Sequence, residues 1–249
     1  MPSVAPPVVL IAPAKLTTRL RVVGRRDDGY HLLDAEMVSL DLADLLEVRE
    51  ADVSVVEVLD PTGAPIETGP VADNLVSRAL ALVGRLAHVK VTKRISPRAG
   101  LGGGSADAAA ILRWAASDDL ATAAQLGADV PFCLVGGRAR VTGIGEVIEP
   151  LPFEARTFTL STPPFGCSTV EVYRAWDRLG GPRDPRPDPA NDLEVAALAV
   201  EPRLAEWRDR LGDAAGVEPR LAGSGSTWFV EGNFPGEGRV VAHALPAPA

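Results

Sequence analysis

Apolar and polar residues alternate through much of the first 50 positions, and apolar steps of three and four residues follow. That pattern predicts strands interrupted by helices. Residues 8 to 12 (VVLIA) read as a strand. Pro13 closes it, and the alternation in KLTTRLRVVG reads as a second extended stretch, with Lys15 at the junction. RRDDGYH has the composition of a hairpin turn, and EMVSLDLADLLEVRE beyond it alternates as a half-buried strand does. Asp73 or Asn74 is placed to cap a helix whose apolar face is Leu75, Ala79, Leu82 and Leu86, after which HVKVTKRI returns to strand. The stretch SPRAGLGGGSADAAAILRWAA is a glycine run opening into an alanine-rich helix. GADVPFCLVGG and a strand RARVTGIGE come next. The proline-bounded EPLPFEA suggests a boundary between residues 1–152 and 153–249. Beyond it the pattern predicts a strand (RTFTLSTPP), a helix from near Ser168, a loop GGPRDPRPDPAND, two amphipathic helices, a strand pair around RLAGSGSTWFVEG and a frayed tail HALPAPA. The fold class is α+β in two halves.

Charge and composition narrow the chemistry. The 249 residues carry 33 acidic against 25 basic side chains, a net charge of −8, and 46% of them are hydrophobic. This suits a globular core and argues against a protein that coats nucleic acid, which needs a basic footprint. An anionic ligand would require a local positive device. Cys133 and Cys167 form no CxxC pair, and His31, His88 and His243 show no ligand spacing, so neither a disulfide framework nor a zinc site is expected. The start, MPSVAPPVVLIAPAK, lacks a basic leader, and its apolar run is too short to span a membrane. The expected address is the cytoplasm, without membrane contact.

Gly100, Gly102, Gly103 and Gly104 surround Leu101 and precede Ser105. So many glycines cost conformational entropy unless the backbone takes unusual dihedrals or admits a ligand to its amides. Two readings follow: a tight strand-to-helix turn packed against a neighbour, or a phosphate cradle at a helix N-terminus. GxxxxGK[ST], the dinucleotide fingerprint and the protein-kinase motifs are all absent. Lys15 is either a solvated surface lysine or a partner of phosphate oxygens. Asp129, among small and apolar residues, either pairs with a cation or caps a helix. Ser105 fits an N-cap, as does Asn74. Lys93 and Arg94 are either solvated or turned to phosphates. Tyr30 and His31 could merely close a hairpin, and AGSGS could be an ordinary turn.

APAK near the start, GLGGGSADAA in the middle and LAGSGS near the end occur in the order of three motifs of the GHMP kinases, which the chain therefore resembles. GRRDDGYH, DNLVSRA, GADVPF and NDLE narrow the resemblance to the cytidyl-alcohol branch acting in non-mevalonate isoprenoid synthesis, over about Ile11 to Phe229. The resemblance implies a two-domain fold, with an N-terminal half like ribosomal protein S5 domain 2 and a ferredoxin-like C-terminal half. It also implies ATP and Mg²⁺ as cofactors, a small cytidyl alcohol as partner and a monomer or homodimer. By the same resemblance Lys15 and Asp129 are catalytic. The implied ATP contacts are Asn74, Lys93, Arg98, Ala99, Gly100, Leu101, Gly102, Gly103, Gly104, Ser105, Ala106 and Asp107, with Ser105 also at the metal. Tyr30 would stack on the cytosine with His31 at its edge and Tyr173 on its other face. Thr17 and Thr169 would bond the acceptor, and Gly223, Ser224 and Gly225 would present amides to its diphosphate. Two departures stand out: Thr17 replaces a usual asparagine, and Arg98 a frequent glycine. Positive φ would strain Arg98; otherwise it adds a phosphate contact. The helical segment ILRWAASDDLATAAQ is also shorter than usual. A different alcohol acceptor, or a nucleotide binder without turnover, remains an alternative.

Overall fold

Two long strands organise the chain, whose computed structural model describes residues 6–67, 69–181 and 190–248. Strand β1 (Val8–Arg25) pairs antiparallel with β2 (His31–Glu50) across a hairpin in which Gly29 N donates to Arg26 O. The two extended stretches expected on either side of Pro13 are thus one strand. A register shift between Pro13 and Lys15 absorbs the missing proline N–H.

Strand β2 is the hub. Its other edge takes three partners in turn: β5 (Arg138–Gly143), β10 (Arg239–Leu245) and β4 (Ala87–Thr92). Outward from these, β3 (Val55–Leu59) runs parallel to β4, and β6 (Val147–Leu151) pairs with β5. Strands β7 (Thr157–Ser161), β9 (Trp228–Glu231) and β8 (Arg220–Leu221) continue from β10. The described strands form one ten-stranded sheet.

Four helices pack on the first half: α1 (Leu75–Leu82), α2 (Gly103–Trp114), α3 (Leu120–Leu126) and α4 (Val130–Val135). Asn74 starts α1 by accepting from Val76 N, and Asp119 starts α3 by accepting from Ala121 N and Thr122 N. A buried cluster including Leu46, Val89, Ile111 and Phe132 forms the core beneath them. Helices α5 (Thr169–Leu179), α6 (Glu194–Val200) and α7 (Leu204–Ala215) cover a second core around Trp228 and Leu211, which also takes Leu20 and Val22 from β1. A third cluster joins Leu16, Leu40 and Leu101 to Phe158, Phe229 and Ala242, so the seam between the halves is apolar.

Two expectations need comment. The tail is not frayed from His243, because β10 runs to Leu245 and Ala247 and Pro248 lie against Gly137 and Gly136. Of the loop predicted over 180–192, residues 182–189 lie outside the described residues.

Candidate active site

One cleft of about 590 Å³ runs along the junction of the halves. Its apolar end is walled by Val58, Ile66, Leu75 and Val91, with Asn74 beside them; the glycine loop crosses its middle. Lys15, Thr17, Asp129, Thr169 and Tyr173 line the remainder. Asn74 therefore both caps α1 and reaches the cleft.

The bulge in β1 builds the centre of the site. It releases the Lys15 N–H from the β1 ladder, and this donates to Leu101 O at 3.0 Å, tying strand to glycine loop. The Lys15 side chain is 94% buried, and its Nζ lies 3.2 Å from Asp129 Oδ2 and 3.2 Å from Thr17 Oγ1. Asp129 sits at the head of α4 without capping it, so of the two roles open to it, pairing with a cation is the one observed. Thr17, which stands where the family usually has an asparagine, accepts from Lys15 Nζ with its hydroxyl. Behind the pair, burial pushes the Cys133 thiol up to about 12, so it stays protonated and non-nucleophilic.

The glycine loop packs closely at two positions and stays open at a third. A Cβ on Gly100 would lie 2.5 Å from Ala222 O, and one on Gly102 would lie 2.7 Å from Lys15 Cγ. Those two glycines allow close packing at positive φ. Gly104 is exposed, and a Cβ there would meet only Leu75 Cδ1 at 3.6 Å, which leaves the helix start open. Helix α2 begins one turn earlier than a Ser105 cap requires. Gly102, in the left-handed region, is its N-cap, and no side chain caps its first turn. Free N–H groups and the helix dipole therefore face the cleft. Ser105 lines the cleft as the third helical residue, whereas Leu101 and Ala106 are buried in the cores.

Lys93 lines the cleft too, yet its charge is committed: Nζ binds Asp44 and lies 2.8 Å from Asp107 Oδ2. Asp44, wholly buried, also accepts from the Arg94 and Ile95 amides. Burial pushes the Asp107 carboxyl up to about 7 against the pull of Lys93, with Asp44 adding to the rise. Its Oδ1 is buried without a hydrogen-bond partner among the described residues. The triad braces the strand leading into the loop against the helix leaving it.

At the other end, Gly223 faces Lys15, since a Cβ there would lie 3.6 Å from Nζ. Thr169 Oγ1 and Ser224 Oγ are 2.9 Å apart, and Gly225 backs onto Gly100 instead of lining the cleft. Asn191 holds this turn, donating to Leu221 O at 2.8 Å and Gly223 O at 2.6 Å. Tyr173 is stacked on His31 at 4.7 Å between centroids; burial raises its phenol beyond the ordinary range. His31 Nε2 is 2.7 Å from Asp177 Oδ1, and Tyr30 is exposed on the hairpin; neither His31 nor Tyr30 lines the cleft. Asp44, Asn191 and Asp177 were missed from sequence. The signal for Asp44 was there: it shares the inward face of β2 with Leu46 and Val48, where an acid needs a partner.

A chain with this fold, and with a helix start left open at its cleft, belongs with the GHMP kinases, ATP-using kinases of small molecules. The family model "GHMP kinases N terminal domain" matches residues 74–137. The chain belongs to the 4-diphosphocytidyl-2-C-methyl-D-erythritol kinase family. It is 40% identical to that kinase from Paracoccus denitrificans over 88% of this chain and 84% of the relative. The enzyme of Carboxydothermus hydrogenoformans is 32% identical, over 89% and 87%. A crystal structure of 4-(cytidine 5'-diphospho)-2C-methyl-D-erythritol kinase superposes with a TM-score of 0.74 at 30% identity, covering 95% of this chain and 99% of that one. Homoserine kinase from Cytophaga hutchinsonii, at 16% identity and a TM-score of 0.62, shares the fold. Among the described residues no helix is long and apolar enough to cross a membrane.

Proposed function

We propose that the protein moves the γ-phosphoryl group of ATP to the 2-hydroxyl of 4-diphosphocytidyl-2-C-methyl-D-erythritol in the cytoplasm, with residues 1–152 and 153–249 as its two domains. The observation carrying this reading is Lys15 held between Asp129 and Thr17 beside the uncapped start of α2. The adenine side of ATP occupies the apolar end near Val58, Leu75 and Val91, and its phosphates lie against the α2 amides at Gly104 and Ser105. Asp129 takes the proton of the acceptor hydroxyl as its oxygen bonds to the γ-phosphorus. The bond from that phosphorus to the bridging β–γ oxygen breaks, giving the 2-phosphate and ADP. Lys15 holds the Asp129 carboxylate in position and offsets charge on the transferred group.

The residues present suit Mg²⁺ in the way nucleotide-bound magnesium is commonly held. Among the described residues no cluster of three or more His, Cys, Asp or Glu forms a dedicated metal cage, while Ser105, a hydroxyl residue, lines the cleft. Ser105 would hold the ion together with phosphate oxygens and waters. When bound, Mg²⁺ neutralises phosphate charge. Tyr173 meets the cytosine from the cleft wall, with His31 stacked behind it and Tyr30 reaching in from the hairpin outside the cleft lining, and Thr169, Gly223 and Ser224 meet the remainder of the acceptor.

Measuring ADP release across cytidyl and non-cytidyl alcohols tests the reading. Turnover is expected with the cytidyl alcohol above all others, and equal turnover with a simple sugar alcohol would overturn it.

A further inference from the structure

Three lysines or arginines line the cleft: Lys15, Lys93 and Arg98. Lys15 is paired with Asp129, and Lys93 with both Asp44 and Asp107. Arg98 is exposed and has no ion-pair or hydrogen-bond partner among the described residues. It is therefore the cation of this cleft still free to meet an anion.

Its placement says which anion. Arg98 has a φ of 57°, a left-handed conformation that glycine would hold without steric cost. The side chain lies across Gly166, where an added Cβ would meet Arg98 Cβ at 2.3 Å and Cδ at 3.3 Å. Gly166 leads into α5, which brings Thr169 and Tyr173 to the acceptor end of the cleft. The segment following Arg98 is fastened to the same region: Thr227 N donates to Ala99 O, and Gly100 packs on Ala222 O and Gly225 O. The uncapped α2 amides already serve the nucleotide phosphates in the reading above, which leaves Arg98 to an anion at the acceptor end of the cleft.

We infer that Arg98 anchors the diphosphate of the acceptor, not the triphosphate of ATP, and so sets acceptor affinity. This rests on the acceptor reading above. The outlying backbone fits such a role, since strain of this kind gathers where a side chain must be aimed.

Steady-state kinetics with both substrates varied tests it on wild type, Arg98→Gly and Arg98→Lys. Glycine suits the backbone, so the fold is expected to survive, with an unchanged or higher melting temperature. In Arg98→Gly the KM for the cytidyl alcohol should rise at least tenfold, with the KM for ATP within twofold and kcat within threefold. Arg98→Lys should recover part of the lost affinity, which a purely structural role would not produce. An unchanged acceptor KM, or a rise in the KM for ATP as large or larger, overturns the inference while wild-type turnover leaves the acceptor reading standing. A wild-type enzyme that releases no ADP with the cytidyl alcohol overturns both.

Discussion

Lys15 Nζ lies 3.2 Å from Asp129 Oδ2, although one side chain leaves a bulge in β1 and the other the head of α4. The lysine side chain is almost fully buried and the aspartate about one third exposed, so the pair opens toward the cleft through its carboxylate. That orientation suits a proton acceptor held in place by its neighbour.

Replacing either member should therefore remove chemistry before stability. Asp129→Asn and Lys15→Ala are each expected to lower kcat by at least about a hundredfold, the usual range for a positioned acid or base. ADP release under saturating substrates measures the loss, and circular dichroism checks the fold.

The glycines should divide by role. Gly100→Ala puts a methyl group at 2.5 Å from Ala222 O in a left-handed conformation, so a loss of at least about 1–2 kcal/mol is expected from the backbone strain alone. Gly104→Ala meets only Leu75 at 3.6 Å and should leave stability unchanged or raise it by up to about 1 kcal/mol, while increasing the KM for ATP. Urea unfolding beside ATP kinetics separates packing from phosphate approach.

Lys93 is expected to matter most for folding. Lys93→Met would leave Asp44 and Asp107 buried without their countercharge, a change that typically costs about 3–5 kcal/mol. Urea midpoints of the purified variant and wild type test this.

Asp107 carries a pH signature. Its carboxyl stands near 7 in the fold against an ordinary 3.8, so between those values the native state keeps a proton that the unfolded chain has released. Its contribution to stability is complete below about pH 4 and is lost as pH rises through about 7. Comparing urea unfolding at pH 5 and pH 7 should show that slope in the wild type and a flatter one in Asp107→Asn.

Base recognition should appear in one Michaelis constant only. Tyr30 is 59% exposed, so Tyr30→Ala should change stability by less than about 0.5 kcal/mol. Loss of stacking worth about 1–3 kcal/mol would raise the KM for a cytidyl acceptor several-fold to a hundredfold and leave a non-cytidyl acceptor unaffected. Parallel assays with both acceptors decide it.

Much of this was legible along the chain. Alternation marked β1 and β2, the Asx residue before Leu75 marked α1, and Ser168 marked α5, because each depends on near neighbours. Pro13 misled, since a proline breaks a ladder only where its N–H is needed, and a bulge removes that need. Ser105 misled for a related reason: a glycine in the left-handed region can begin a helix without any capping side chain. The commitment of Lys93 was not readable, because Asp44 reaches it only through the pairing of β2 with β4.

By itself the sequence determined the inventory: a glycine run before an alanine-rich helix, a lysine after a short apolar run, an aspartate before a proline, and an acidic chain without a metal cage motif. Local propensity and motif order suffice for that. Tertiary structure decided which charges are free. Lys15, Lys93 and Arg98 are equally basic in the sequence, yet long-range folding buries the first against Asp129, encloses the second between two carboxylates and leaves the third over Gly166. Pairing depends on strand register and helix placement, which only the assembled sheet and its helices supply.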